Sequence, residues 1–62
     1  MIYRPGATVP VSGIWNVVDM FGGYAGRQVT SEEGETFPAT RHGTSEYGYT
    51  LYQQTQHLGG RF

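Results

Sequence analysis

The chain of 62 residues contains no cysteine and no lysine. Without cysteine, neither a disulfide nor a thiolate zinc site can support the fold. The four basic residues are all arginine and are scattered along the chain, and the net charge is −1. Affinity for nucleic acid comes mainly from basic side chains that neutralise phosphates, so this composition does not favour a nucleic-acid-binding protein.

Long apolar runs are also missing. No stretch approaches the roughly 18–20 apolar residues of a membrane-spanning helix, and the first ten residues lack the apolar core of a signal peptide. We therefore expect a cytoplasmic protein without a membrane segment. A chain of this length buries only about 60% of the surface that it exposes when unfolded. With disulfides excluded, we expect a protein partner or self-association to support the small core.

Glycine and proline divide the chain into short segments, with ten Gly and three Pro. Three segments rich in β-branched and aromatic residues are predicted strands, namely residues 14–20, 27–31 and 47–54. Residues 36–37 form a possible fourth strand, which Pro38 limits. The sequence thus predicts an all-β fold, a small antiparallel meander of three to four strands with glycine-rich turns. One domain covers residues 1–62, with residues 55–62 as a frayed tail.

Turns and a core follow from the same pattern. Glycine favours turns at Pro5-Gly6, at Gly22-Gly23, around Gly34 and at Gly43. Alternation along the third strand places Tyr49 on one face and Tyr52 on the other. The predicted core set is Trp15, Val17, Val29, Phe37, Tyr49 and Leu51.

No set of residues has the spacing of a catalytic or metal site. Ser45, His42 and Asp19 could be read as a triad, but unrelated surface residues explain them better. His42, His57 and Glu46 could be read as a metal site, but two surface histidines are the simpler interpretation. We therefore predict no catalytic residue, no metal and no cofactor.

Two further interpretations involve glycine and tyrosine. Residues 22–26 contain three glycines, but they lack the Gly-Lys-Ser/Thr ending of a phosphate-binding loop, and a hairpin turn accounts for them. Tyr47, Tyr49 and Tyr52 lie close together, and aromatic side chains on a sheet can stack with bases. That mode needs a positive groove, which this segment does not supply.

The tyrosines are the most unusual feature of the chain. Tyrosine is enriched at protein interfaces, and nine aromatic residues exceed what so small a core can hide. The predicted interaction surface combines the tyrosines of the third strand with two residues of the preceding loop, and its members are Arg41, His42, Tyr47, Tyr49 and Tyr52.

Several short motifs occur in a recognisable order, namely Tyr3-Arg4-Pro5-Gly6, Val9-Pro10, Ser12-Gly13-Ile14, Gln28-Val29-Thr30, Gly34-Glu35-Thr36-Phe37-Pro38 and Tyr49-Thr50-Leu51. This order resembles that of small uncharacterised bacterial proteins of the YjzC-like type, which have about the same length. The resemblance supports the fold and implies no activity.

Some sequences of that type carry a cysteine pair in the loop after the Phe-Pro motif. In this chain Thr40 and Gly43 occupy the matching positions, so the resemblance implies that a metal clip has been lost here. The loop would then need another means of support, and Arg41, His42 and Thr44 could supply it with hydrogen bonds.

The sequence as a whole predicts a small, non-enzymatic β-sheet module that binds a protein partner or itself. The alternative is an inhibitor of the kind that phages or mobile elements encode, which docks onto a host enzyme. An enzyme or small-ligand binder that uses Arg41, His42 and the tyrosines is a third, less favoured interpretation.

Overall fold

The computed structural model describes residues 1–55, which form one antiparallel sheet of three strands. The strands are β1 (Gly13–Val18), β2 (Tyr24–Ser31) and β3 (Gly48–Gln54). β1 lies at the centre, with β2 on one side and β3 on the other. No helix is present within residues 1–55. The predicted small all-β antiparallel fold is therefore confirmed.

The central strand consists mainly of β-branched and aromatic residues, which suit a pleated surface that is covered on one side. Trp15 and Val17 point toward the core and are buried, whereas Asn16 points to the opposite face. Val29 of β2 lies opposite Trp15, and Tyr49 of β3 lies opposite Val17. These pairs bring apolar side chains from all three strands onto one face.

The segment before β1 covers part of that face. Tyr3 and Tyr49 exchange two backbone hydrogen bonds, with N–H to carbonyl distances of 2.9 and 2.8 Å. Farther along, the Val9 N–H donates to the Glu35 carbonyl at 2.7 Å, and Gly34 N–H donates back to the Val9 carbonyl at 2.9 Å. The N-terminal segment is thus tied both to β3 and to the connection that follows β2.

The predicted fourth strand is reduced to a single bridge. Thr36 pairs with Thr8 as an isolated antiparallel bridge, and the Phe37 N–H donates to the Ala7 carbonyl at 2.9 Å. Pro38 follows at once and has no N–H with which to continue the pairing. This short ladder places the Phe37 side chain over the sheet.

Aromatic rings fill most of the core. Phe37 stacks on Tyr49 with ring centroids 4.8 Å apart, and Trp15 meets Phe37 edge to face at 4.9 Å. Tyr3 also meets Trp15 edge to face at 5.4 Å. The buried core cluster consists of Val9, Trp15, Val17, Phe37 and Tyr49.

The predicted core set is wrong at one position. Leu51 lies opposite Trp15, but β3 is an edge strand and 42% of the Leu51 surface stays exposed. Val9, which the sequence did not place in the core, is completely buried instead. The hydrogen bonds of Val9 with Glu35 and Gly34 hold it against the core face, where it packs in the buried cluster.

The predicted tail, residues 55–62, lies outside the described residues except for Thr55. The Thr55 N–H donates to the Ser12 carbonyl at 2.9 Å and continues the pairing of β3 with β1. Within residues 1–55 there is no helix of the length and apolarity needed to cross a membrane.

Candidate functional site

The turn that joins β1 to β2 is held by the side chain of Asp19. Its Oδ1 accepts hydrogen bonds from the N–H groups of Phe21 and Gly23, each at 2.9 Å. The Asp19 N–H donates to the Gly23 carbonyl at 2.8 Å, and Gly22 N–H donates to the Asp19 carbonyl at 3.0 Å. Gly22 has a φ of +87°, which glycine adopts without strain. The turn is therefore fixed by its own bonding.

Large apolar side chains project from this fixed turn. Phe21 is 90% exposed, and Met20 and Tyr24 are each exposed by more than half. Single exposed apolar residues are ordinary on a protein surface, whereas here three of them belong to one fixed turn and the residue that follows it. We name Met20, Phe21 and Tyr24 the tip patch.

A concave surface adjoins the tip patch. It lies between the β1–β2 turn and the end of the connection that precedes β3, and we name it the tip cavity. Its lining is Asp19, Met20, Phe21, Thr44, Ser45, Glu46 and Tyr47. The protruding Phe21 ring and a hollow therefore lie side by side on the same part of the molecule.

An ion pair fixes the loop side of the tip cavity. Arg27 of β2 donates two hydrogen bonds to Glu46. Its Nε donates to Oε2 at 3.0 Å and its Nη2 donates to Oε1 at 2.9 Å. The Glu46 side chain is only 5% exposed. The hydrogen bonds from Arg27, followed by the bond from the Arg41 N–H, lower the pKa of Glu46 to about 2. The Glu46 carboxylate is therefore charged at neutral pH, and both of its oxygens accept hydrogen bonds.

The loop before β3 also carries bonds of its own. Arg41 N–H donates to Glu46 Oε1 at 2.8 Å, and the Thr44 hydroxyl donates to the Arg41 carbonyl at 2.8 Å. The Tyr49 hydroxyl donates to the Pro38 carbonyl at 2.6 Å, and burial raises the pKa of Tyr49. Arg41 and Thr44 therefore contribute to holding the loop, although Arg41 does so through its backbone.

The structure separates the predicted surface residues. Tyr49 is completely buried, so its place on an exposed interaction surface is wrong, although its place in the predicted core is confirmed. Tyr52 is 60% exposed on β3, five residues beyond Tyr47, which is about 16 Å along a strand. Arg41 and His42 are exposed in the loop. These residues do not form one continuous tyrosine surface.

Of the residues predicted for the interaction surface, Tyr47 borders the tip cavity. It is half-buried and lines the tip cavity. The guanidinium carbon of Arg4 lies 3.8 Å from the centre of the Tyr47 ring, and Arg4 Nε donates to the Tyr47 carbonyl at 3.1 Å. This cation–π contact keeps the ring in place beside the cavity.

The tip patch itself was missed at the sequence level. The sequence places Met20 at the end of the first predicted strand and gives residues 22–26 only a role as a hairpin turn. The available signal was that Met20 and Phe21 stand directly before Gly22-Gly23, so a hairpin turn at those glycines must carry both side chains at its tip, away from the core.

The arrangement of side chains within residues 1–55 does not support a metal site or a catalytic triad. Within residues 1–55 no group of three His, Cys, Asp or Glu side chains is placed to hold a metal ion, and His57 lies outside the described residues. The Oδ1 of Asp19 accepts from two backbone N–H groups of its own turn, and within residues 1–55 no hydrogen bond joins Asp19 to His42 as a triad would require.

Comparison with known proteins finds no matching family model, no matching curated protein and no matching solved structure. The resemblance to proteins of the YjzC-like type therefore stays a prediction.

Proposed function

We propose that this chain is a non-enzymatic protein-interaction module that contacts its partner through the tip patch. One observation carries the proposal. The Phe21 ring is 90% exposed on a turn that four hydrogen bonds hold in place. An aromatic side chain so exposed contributes little burial to the fold, which supports a role in contacts outside this chain.

Preorganisation makes such a ring an effective anchor. Binding costs free energy for every side chain and loop that becomes ordered at the interface. Here the Asp19 carboxylate has already ordered the turn, and a phenylalanine side chain has only two rotatable bonds. Large side chains that fill a pocket at the centre of an interface supply most of its binding free energy.

The surroundings of the tip patch have the composition of an interface. Thr44 and Ser45 border the tip cavity with hydroxyl groups, and Tyr47 adds an amphipathic ring. An apolar centre with a polar rim is the usual anatomy of a protein contact surface. The Arg27–Glu46 ion pair keeps this rim in a fixed position relative to the turn.

Site-specific photo-cross-linking in the source cells tests the proposal. A photoreactive phenylalanine analogue replaces Phe21 in one chain and Thr30 in a control chain. Thr30 is exposed and lies opposite Ile14, on the face of the sheet that points away from the core. We expect one discrete protein adduct from position 21 whose yield falls when Met20→Ser is added, and no such adduct from position 30.

Equal labelling from both positions, or no protein adduct from position 21, would show that the tip patch is not a contact surface. The mass of the adduct identifies the partner, which is either another protein or a second copy of this chain.

A further inference from the structure

We infer that the partner of the tip patch binds through an acidic segment, one carboxylate of which pairs with Arg4 beside the tip cavity. An apolar side chain of the same segment fills the cavity. The inference rests on the proposed function, because it specifies the chemistry of the partner of the same surface. It also assigns a binding role to Arg4, a residue outside the tip patch.

The fold brings three of the four arginines of the chain to the end of the sheet that carries the tip patch. Arg27 pairs with Glu46, and the Arg41 N–H donates to the same carboxylate. Arg4 Nε donates to the carbonyl of the next residue, Tyr47. Glu46 and Tyr47 both line the tip cavity. These arginines are far apart in the sequence, so only the fold shows that they converge.

Three of the five acids of the chain lie at the other end of the sheet. Glu32, Glu33 and Glu35 follow Ser31, which pairs with Gly13 at the start of β1, whereas the tip patch follows the end of β1. A strand of six residues spans about 17 Å, which exceeds the Debye length of about 8 Å at physiological salt. The two ends therefore act separately, and an acidic partner is attracted to the end with the arginines.

Arg4 is exposed, yet its contacts with Tyr47 hold the guanidinium in place. Its Cζ lies 3.8 Å from the centre of the Tyr47 ring, and its Nε donates to the Tyr47 carbonyl at 3.1 Å. No acid within residues 1–55 forms an ion pair with it. A guanidinium can bind a carboxylate through two N–H groups, and a side chain that is already ordered loses less entropy on binding. Arg4 is therefore a preorganised carboxylate-binding group at the border of the tip cavity.

The two acids at this end leave the loop side of the tip cavity open to an acidic partner. Glu46 is paired with Arg27. Asp19 is charged as well, but it belongs to the turn, where its Oδ1 accepts two backbone N–H groups. Arg4 instead packs on Tyr47, on the loop side. A partner therefore places its apolar side chain against the turn and its acid toward the loop.

NMR titration of the full chain with two synthetic peptides tests the inference. The probe is acetyl-Glu-Glu-Phe-Glu-Glu-amide, and the control peptide has Gln in place of each Glu. We expect the acidic peptide to shift the amide signals of Arg4, Phe21 and Tyr47, and to bind about fivefold more tightly than the control peptide. Raising the salt concentration from about 20 mM to about 500 mM should remove this difference, because salt screens exposed charges.

Arg4→Gln provides a second readout. It should weaken the binding of the acidic peptide by about fivefold and leave the binding of the control peptide unchanged, because only the acidic peptide uses the charge. Arg4→Lys keeps the charge and should bind the acidic peptide more tightly than Arg4→Gln does. Glu33→Gln alters one exposed charge at the other end of the sheet and should change neither affinity. Thermal unfolding checks that each variant keeps the fold.

Equal binding of the two peptides, no binding of the acidic peptide, or equal weakening of both peptides by Arg4→Gln would overturn the inference. Tighter binding of a deoxythymidine pentamer, which carries as many phosphates as the acidic peptide has carboxylates, would overturn it in favour of a nucleic acid.

Photo-cross-linking from position 21 decides the proposed function separately. An adduct whose yield is the same in Arg4→Gln and in the parent leaves that function standing, while the acidic partner fails. If position 21 yields no adduct, the proposed function fails and the inference fails with it.

Discussion

Glu46 is the residue that attaches the connection between β2 and β3 to the sheet. Its carboxylate accepts two hydrogen bonds from Arg27 and one from the Arg41 backbone, and it is almost completely buried. Hydrogen bonds from these partners favour the charged form of the Glu46 carboxylate. In a chain without cysteine, this cluster fixes the loop to the sheet. Disulfides or thiolate metal sites have this stabilising role in other small domains.

The Glu46 cluster predicts a specific loss of stability in acid. The pKa of Glu46 is about 2 in the folded chain against an ordinary value of 4.5, so the unfolded chain binds the proton more tightly. The stabilising contribution is therefore complete above about pH 4.5 and disappears as the pH falls toward 2. Urea unfolding should show Glu46→Gln to be less stable than the parent at neutral pH, with the difference shrinking through this range.

Glu33→Gln is the matched control, since it removes the same charge from an exposed position. At neutral pH it should leave the unfolding free energy close to that of the parent. A difference between Glu46→Gln and the parent that stays constant from neutral pH down to about pH 2 would contradict the role of the ionised carboxylate.

Gly48 is required because the N-terminal segment passes directly over it. A Cβ atom at this position would lie 2.5 Å from the Tyr3 carbonyl oxygen and 2.5 Å from Cγ2 of Ile2. Gly48→Ala should therefore cost about 3 kcal/mol of unfolding free energy, as overpacked cores do. Gly6→Ala meets no atom within 4 Å but has a φ of +88°, so it should cost only about 1 kcal/mol from backbone strain.

Denaturant unfolding of the two alanine variants measures this difference. If Gly48→Ala costs no more than Gly6→Ala, the N-terminal segment does not pack against the start of β3 as described.

At the scale of elements, the β1–β2 turn is the part whose order matters for the proposed contact. Asp19→Ala removes the acceptor of two backbone N–H groups, at Phe21 and Gly23, and should cost about 1–2 kcal/mol. Amide hydrogen exchange at those two residues should also become faster. Asp19→Asn keeps an oxygen acceptor and should retain most of the stability, so equal damage by both variants would contradict this bonding.

The three strands could be predicted because each has a strong local signal. β-branched and aromatic residues identify β1 and β3, and glycine marks the turns between the segments. The start of β2 at Tyr24 could not be predicted, because Gly26 interrupts the pattern where the pairing with β1 is irregular, at Val17 and Val18. The pairing of β3 with β1, and not with β2, depends on the long connection and has no local signal.

At the scale of the whole molecule, the sheet is one layer thick and the chain covers it with its own irregular segments. Val9 and Phe37 come from those segments and complete the core over Trp15. The sequence showed an excess of aromatic residues but could not show which of them the covering segments would hide. The sequence therefore predicts Tyr49 both on the surface and in the core. Because the Tyr49 ring is buried, the candidate site lies at the exposed Phe21 instead.

Our central proposal is that the tip patch and tip cavity form the contact surface of this protein. Photo-cross-linking from position 21, compared with the exposed Tyr52 of β3, tests it most directly. We predict a discrete protein adduct from position 21 and none from position 52. An adduct from position 52 with none from position 21 would contradict the proposal.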